Sequence, residues 1–424
     1  MNSFLRNFDV VIIGGGPSGA SAGIAYKKLN PLLKVAIVDK EIFPRDKSCG
    51  DAIGPGVISV LKRFSIQDIL DEEPKVVSTS LSGPGQVLIN NYIPEVKNKE
   101  DSIVYVIPRK ELDYRILRKA INLGVEDFTG HKFDTMTKNS NGWEVVISKD
   151  GKRKKFNTRL LVGADGANSR VRASLGLSSN EDKHKAIAIR AYIDSPNFIE
   201  YFNERSLFFE INVSAARGYA WAFPSRGDLI NIGIGVPVHL FKKYKLNIDS
   251  LLESFILTLE EKGIIVDGVR DKKSYMLPFA SSLRELVHSN AALIGDAASM
   301  INPMSGEGIF YGMEAGYILA NNTFDRIDSE DLQKGLFNFE EEFKKRFNKH
   351  FLSCTLARII LQIPILTRRL LKIAKNDQHT IDFIVELLFD EAHITPKELV
   401  FLTIKFLIPI KLLEIRAKNN TSRQ

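Results

Sequence analysis

Cysteine is nearly absent from this 424-residue chain: Cys49 and Cys354 lie far apart, in no disulfide or zinc-ligand spacing. That argues against a disulfide-framed secreted fold and against a cysteine-held iron–sulfur centre, so a reducing, cytoplasmic setting is expected. Seven scattered histidines form no ligand cluster, and no metal is expected. The opening Met1–Phe8 is too short and too polar to read as an export signal. The sequence also lacks an uninterrupted apolar run of spanning length, an internal repeat and a low-complexity stretch. No basic patch interleaved with stacking aromatics suits nucleic acid, so no nucleic-acid partner is expected.

What is present is an ordinary globular composition, 44% hydrophobic and 26% charged, in a chain long enough for two or three domains. The formal charge of +7 concentrates late: Lys344 to Gln424 carries 15 Lys and Arg against 7 Asp and Glu. Phe8 to Ile13 reads as a short buried strand, Pro17 to Leu29 as a helix and Lys34 to Asp39 as a second strand, a Rossmann-type βαβ opening. Helices are expected over Pro55 to Phe64, Arg109 to Leu123, Asn168 to Leu175 and Gly308 to Ile327. Strands are expected over Trp143 to Ile147, Arg159 to Gly163 and Ala291 to Ile294. Val76 to Val106 and Ala186 to Val236 are strand-rich, and the chain beyond Asp331 is mostly helical.

Two glycine motifs stand almost a whole protein apart: Gly14-Gly15-Gly16-Pro17-Ser18-Gly19, and Gly295-Asp296 followed by Gly306-Glu307-Gly308-Ile309. In the first, Gly14 permits the tight turn, Gly16 lets the backbone approach a pyrophosphate, and Gly19 allows close helix–strand packing. The helix that Pro17 and Ser18 begin faces the anion with its N-terminus. Asp39, followed by Lys40, ends the second strand, where an acid accepts hydrogen bonds from the adenosine ribose. The second motif opens another helix at Ile309, whose amides can meet the pyrimidine edge of a flavin. One long dinucleotide held at both ends is implied, and FAD has that length.

The whole set is similar to the fingerprints of the p-hydroxybenzoate-hydroxylase-like flavoproteins. It comprises the Rossmann start, Arg109 heading Arg-Lys-Glu-Leu-Asp, Gly163-Ala164-Asp165-Gly166 and Gly295-Asp296-Ala297-Ala298. The resemblance implies that Arg109 reaches the cofactor, that Asp165 supports the fold beside it, and that Asp296 binds its ribityl or pyrophosphate region. It also implies an α/β fold with three parts. Residues 1–75, 100–180 and 285–330 form a discontinuous FAD-binding domain, 76–99 and 181–284 a sheet-rich substrate domain, and 331–424 a basic, amphipathic helical region.

Two signatures narrow the family. Lys47-Ser48-Cys49-Gly50 with Pro55-Gly56, and Tyr219-x-Trp221-x-Phe223-Pro224 followed by Asn231-x-Gly233-x-Gly235, resemble the geranylgeranyl reductase family and its menaquinone-reductase-like branch. Ala216 departs from the fuller pattern, which begins with proline. The resemblance implies a loop at Cys49 and Gly50 against the flavin ring, with Cys49 positioning or protonating the substrate carbon. It implies a substrate cavity lined by Tyr219, Trp221 and Phe223. The expected reaction is reduction of C=C bonds in a prenyl lipid or prenyl quinone, with NADPH or a reduced ferredoxin-like carrier as electron donor. An oxygen-using hydroxylase or halogenase is the alternative on the same scaffold, and an electron-transfer flavoprotein docking a quinone or protein is a third. In the tail, Ile359 to Leu366 and Leu399 to Leu413 are apolar and edged by lysine and arginine. They suit either the surface of an anionic membrane, with the protein peripheral on its inner face, or a helical cover over the cavity.

Overall fold

The computed structural model describes residues 5–84, 89–92, 104–178, 180–213, 217–283, 285–389, 394–395, 397–398 and 405. Ala216 and all of Leu399 to Leu413 except Lys405 lie outside them. Among the described residues three sheets organise the molecule. The first is built around strand Arg6–Ile13, in which Val10 to Ile13 are all buried, as in a parallel strand covered on both faces. It pairs in parallel with Val35–Asp39 on one side and Lys152–Gly163 on the other. Ala291–Leu293 and Glu126–Thr129 extend this parallel order, while Gly142–Lys149 and Lys132–Asn139 fold back as an antiparallel meander.

Helix Pro17–Leu29 connects the first two strands, and helix Ile309–Thr323 packs on it. Their approach depends on small residues. A β-carbon on Gly312 would lie 2.1 Å from the Ser18 hydroxyl, and one on Gly295 2.4 Å from it. Ser18 of the first glycine motif therefore interlocks with Gly295 of the second, which brings the two remote motifs together.

The second sheet runs Asp267–Pro278, Lys185–Asp194, Leu229–Pro237, Gly218–Pro224, Ser206–Val213, Ser78–Ser82, Ile89–Tyr92. Helices Phe198–Phe202 and Ile248–Glu261 bury one of its faces together with Ala220 and Ala222. Helix Ile248–Glu261 and its neighbour Val238–Lys243 were not expected from the sequence. Alternation along the strand turns Tyr219, Trp221 and Phe223 to the opposite face. A small third sheet of Ala52–Ile53, Val104–Val106 and Lys75–Val76 bridges the two.

The C-terminal helices are Leu332–Leu361, Pro364–Lys375 and Gln378–Phe389. The first two meet at a 108° bend, with Pro364 opening the second, a position where its missing N–H costs nothing. Leu371, Ile384, Leu387 and Leu388 close over the aromatic face of the second sheet. Among the described residues no single helix is long and apolar enough to cross a membrane.

Candidate active site

At one end of the site, Gly16 precedes helix Pro17–Leu29 and no side chain caps its first turn. Gly14 takes φ 114°, open to glycine, and a β-carbon there would lie 2.1 Å from the Ala164 carbonyl oxygen. One on Gly19 would lie 1.9 Å from the Gly14 carbonyl oxygen. The Asp39 carboxylate accepts from the Gly15 amide at 2.8 Å and from the Glu41 amide at 2.9 Å, which fixes the turn. Lys40 is beside it, in an exposed pair with Glu41 at 3.7 Å. Asp165 stands behind the turn. It accepts from the Ser169 hydroxyl at 2.5 Å and the Arg170 amide at 2.7 Å, so it supports the start of helix Arg170–Ser174, whose N-cap is Ser169, and burial raises its pKa.

At the other end, Gly308 precedes helix Ile309–Thr323, again with no side-chain cap. Asp296 accepts from Lys47 at 2.9 Å and from the Tyr275 hydroxyl at 3.2 Å. Burial works against both charges of this pair, yet each partner outweighs it, leaving the Asp296 pKa below and the Lys47 pKa above its ordinary value. Arg109 is buried and forms two bonds to Asp113, at 2.6 and 2.8 Å. Its guanidinium also faces the half-buried Cys49 thiol, whose pKa burial pushes up against the pull of that charge.

The loop carrying Cys49 and Gly50 is tied to the second sheet by residues that the sequence reading assigned no role. Asn231 donates to the Cys49 carbonyl at 2.9 Å and to Asp51 Oδ2 at 2.7 Å, and accepts from Trp221 Nε1 at 2.8 Å. Tyr192 donates to Asp51 Oδ2 at 2.5 Å. Arg190, fully buried, lies 4.3 Å from the centre of the Tyr192 ring and donates to Asp46 at 2.7 Å. An acid immediately after Cys-Gly is the local sequence signal for Asp51; nothing local marks Tyr192 or Arg190.

Tyr219, Trp221 and Phe223 form a ladder with ring centres 5.9 and 6.4 Å apart. Their cross-strand neighbours are Gly235, Gly233 and Asn231. A β-carbon on Gly233 would lie 2.2 Å from the Trp221 ring, so glycine makes room for the indole. The Tyr219 hydroxyl donates to the Ser305 carbonyl, which ties the ladder to the second glycine motif. Glu307, half-buried in the same wall, has its carboxyl pushed up to about 8 by burial.

One continuous cavity of about 1570 Å³ joins these parts. Gly14, Gly16, Pro17, Ser18, Asp39, Lys40, Cys49, Gly50, Arg109, Asp165, Asp296, Gly306, Gly308, Ile309, Tyr219, Trp221 and Phe223 all border it, while Gly19 packs behind. A typical small-molecule site has roughly 300–1,000 Å³, so the space suits two ligands side by side. Two uncapped helix N-termini and a β-carbon-free cradle fit the phosphates and ring of FAD. Beyond these the wall mixes apolar side chains such as Leu371, Phe383, Ile384 and Leu387 with polar ones, among them Arg217, Lys349, Arg358 and Gln362.

Comparisons with known proteins concern the family and the fold. The model of a family described as FAD binding domain matches residues 7–342. A menaquinone reductase of Mycolicibacterium smegmatis is 31% identical over 316 residues, covering 74% of this chain and 75% of that protein. A digeranylgeranylglycerophospholipid reductase of Methanococcus vannielii is 24% identical over 365 residues, covering 85% and 88%. The crystal structure of a geranylgeranyl bacteriochlorophyll reductase-like protein from Thermoplasma acidophilum superposes with a TM-score of 0.78 at 19% identity, covering 95% of this chain and 100% of that one.

Proposed function

This chain belongs to the FAD binding domain family, and we infer from the reductases it resembles that it is an FAD-dependent reductase of the geranylgeranyl-reductase type. From that premise we propose that its reaction is the saturation of C=C bonds in the prenyl chain of a geranylgeranyl lipid or a prenyl quinone. One observation carries the reading: the aromatic ladder and the two helix N-termini border the same cavity, with the Cys49-Gly50 loop between them.

Bound and reduced, FAD supplies the hydride. The protein's own residues do the rest. Tyr219, Trp221 and Phe223 offer apolar faces to a chain that has little else to recognise, at about 25 cal/mol per Å² of buried surface. Leu371, Leu387 and Leu388 close the chamber against water, which an unactivated alkene needs if it is to be held in reacting geometry. The uncapped amides at the start of helix Ile309–Thr323 would favour negative charge on a cofactor bound there. Cys49 positions the substrate at the junction.

The lipid reaches the chamber from a membrane surface. Leu352 and Leu356, 62% and 47% exposed, border the cavity, and Ile365 beyond them is 76% exposed beside Arg368 and Arg369. An apolar rim with flanking cations suits peripheral binding to anionic lipid. Purified protein that fails to sediment with anionic vesicles removes this part of the proposal. Reduction of the holoprotein by NADPH and by reduced ferredoxin, followed in separate anaerobic mixings, identifies the electron donor.

The reaction itself is tested by incubating the reduced holoenzyme anaerobically with prenyl lipids and reading mass. A gain of two hydrogens per saturated bond is expected. Oxygen consumption tied to a hydroxylated or halogenated product, with no hydrogen gain, would replace the proposal with the oxygenase alternative.

A further inference from the structure

Asp51 is a fully buried carboxyl in the cavity wall. Its backbone holds the left-handed conformation, φ 64°, which costs free energy in a residue with a side chain and persists where the surroundings enforce it. Its two oxygens are not equivalent. Oδ2 accepts from Tyr192 at 2.5 Å and from Asn231 at 2.7 Å, whereas Oδ1, equally sheltered, has no partner among the described residues. With two donors already on Oδ2, a proton bound by this carboxyl sits on Oδ1, where it can be donated. The donors to Oδ2 are themselves held, Asn231 by Trp221 and the Cys49 carbonyl, Tyr192 beneath Arg190.

We propose that Asp51, with its proton on Oδ1, is the acid of this site and delivers that proton to the second alkene carbon. The inference rests on the reductase reading above. Saturating one C=C bond consumes a hydride, which reduced FAD supplies as it is oxidised by two electrons, and one proton. The Asp51 O–H bond breaks, a C–H bond forms with the alkene's π electrons, and the carboxylate left behind regains a proton from water before the next cycle. The surroundings suit this role. Burial pushes the carboxyl up to about 6, against Tyr192 and Arg190 from one strand, Asn231 from the next and Arg109 from its helix. Cys49 is held protonated by burial, and Asp46, ionised in its pairs with Arg190 and Lys273, lies on the far side of Arg190.

Two measurements on FAD-loaded protein test it. Infrared difference spectra of protein labelled in its aspartate carboxyls should show a protonated-carboxyl band that disappears as pH rises through about 6. The band should be missing from Asp51→Asn, and should shift to higher pH in Tyr192→Phe, because the Tyr192 bond favours the ionised form. In anaerobic single turnover with a geranylgeranyl lipid, Asp51→Asn should re-oxidise roughly 10²- to 10⁴-fold more slowly at acid pH and lose the alkaline limb. FAD affinity should stay unchanged. A purely structural role would slow both variants equally at every pH and move no limb. Absence of the band, or an unchanged limb in both variants, overturns the proposal. If wild-type protein saturates no prenyl lipid, the reductase reading falls, while the infrared result still reports where the proton resides.

Discussion

Replacing Asn231 by leucine tests whether the flavin-side loop is anchored to the aromatic sheet. Asn231 is fully buried and makes three bonds, at 2.8 Å with Trp221, 2.9 Å with Cys49 and 2.7 Å with Asp51. Leucine occupies nearly the same volume, so it leaves little room for a rescuing water, and it offers no polar atom. The indole N–H and the Cys49 carbonyl are then stranded, at about 1–3 kcal/mol each. Asp51 keeps its bond from Tyr192, so its loss adds less. Against a total of about 2–6 kcal/mol, burying a leucine returns about 1–2 kcal/mol, which leaves a net destabilisation of about 3 kcal/mol. That is a large share of the roughly 5–15 kcal/mol by which folded proteins are stable. Urea unfolding at fixed, saturating FAD should show a lower midpoint with an unchanged slope. A loss below about 0.5 kcal/mol, the size of an ordinary surface substitution, would refute the anchoring argument.

Three further outcomes follow from the same geometry. Gly19→Ala must move backbone, because the new β-carbon falls 1.9 Å from the Gly14 carbonyl oxygen; loss of one amide–phosphate bond should weaken FAD binding about tenfold to a hundredfold by fluorescence titration. Gly235→Ala, whose β-carbon meets only the Ala188 side chain at 3.7 Å, should bind FAD normally, and equal affinities for the two variants would disprove the cradle. The native apoprotein holds the Glu307 proton up to about 8 whereas an unfolded glutamate releases it near 4.5, so this residue makes stability fall as pH rises between those values. Glu307→Gln should flatten the profile by up to about 1.4 kcal/mol per pH unit, and superimposable profiles would exclude the effect. Cys49→Ala should bind FAD normally and turn over about tenfold or more slowly in the prenyl assay through lost positioning; full turnover would remove Cys49 from the mechanism.

The parts of this molecule that are legible in its sequence are those that local physics imposes. A tight turn at Gly14, helix–strand contact at Gly19 and a buried parallel strand at Val10 to Ile13 each demand particular residues in a row, and helix Pro17–Leu29 lies where it was expected. The direction of the aromatic ladder follows from period-two alternation alone. Strand Asp267–Pro278 was illegible because most of it is exposed at a sheet edge, where no apolar alternation is required. The Asp51 network was illegible for another reason. Its bonds join residues 141 and 180 positions apart, and although Asn231 stands in a signature and Asp51 follows Cys-Gly, no local pattern pairs them with each other or with Tyr192.

Strand Gly218–Pro224 reverses the usual economy of a core. Its small residues, Ala220 and Ala222, go to the face packed beneath helix Ile248–Glu261, and its large ones go to the cavity. Large aromatics contribute most by filling a core, and although Trp221 and Phe223 are buried, the faces they turn to the cavity lack packing partners there. An apolar ligand segment completes that packing, because the ladder's indole N–H and tyrosine hydroxyl are already committed to Asn231 and Ser305. In the proposed reaction this part of the chamber therefore selects by shape, while Arg358 and Gln362 give another part of the wall polar character. Leu371, Ile384, Leu387 and Leu388 of the C-terminal helices face the ladder across the same cavity, so under the proposed function those helices form the substrate site together with the sheet.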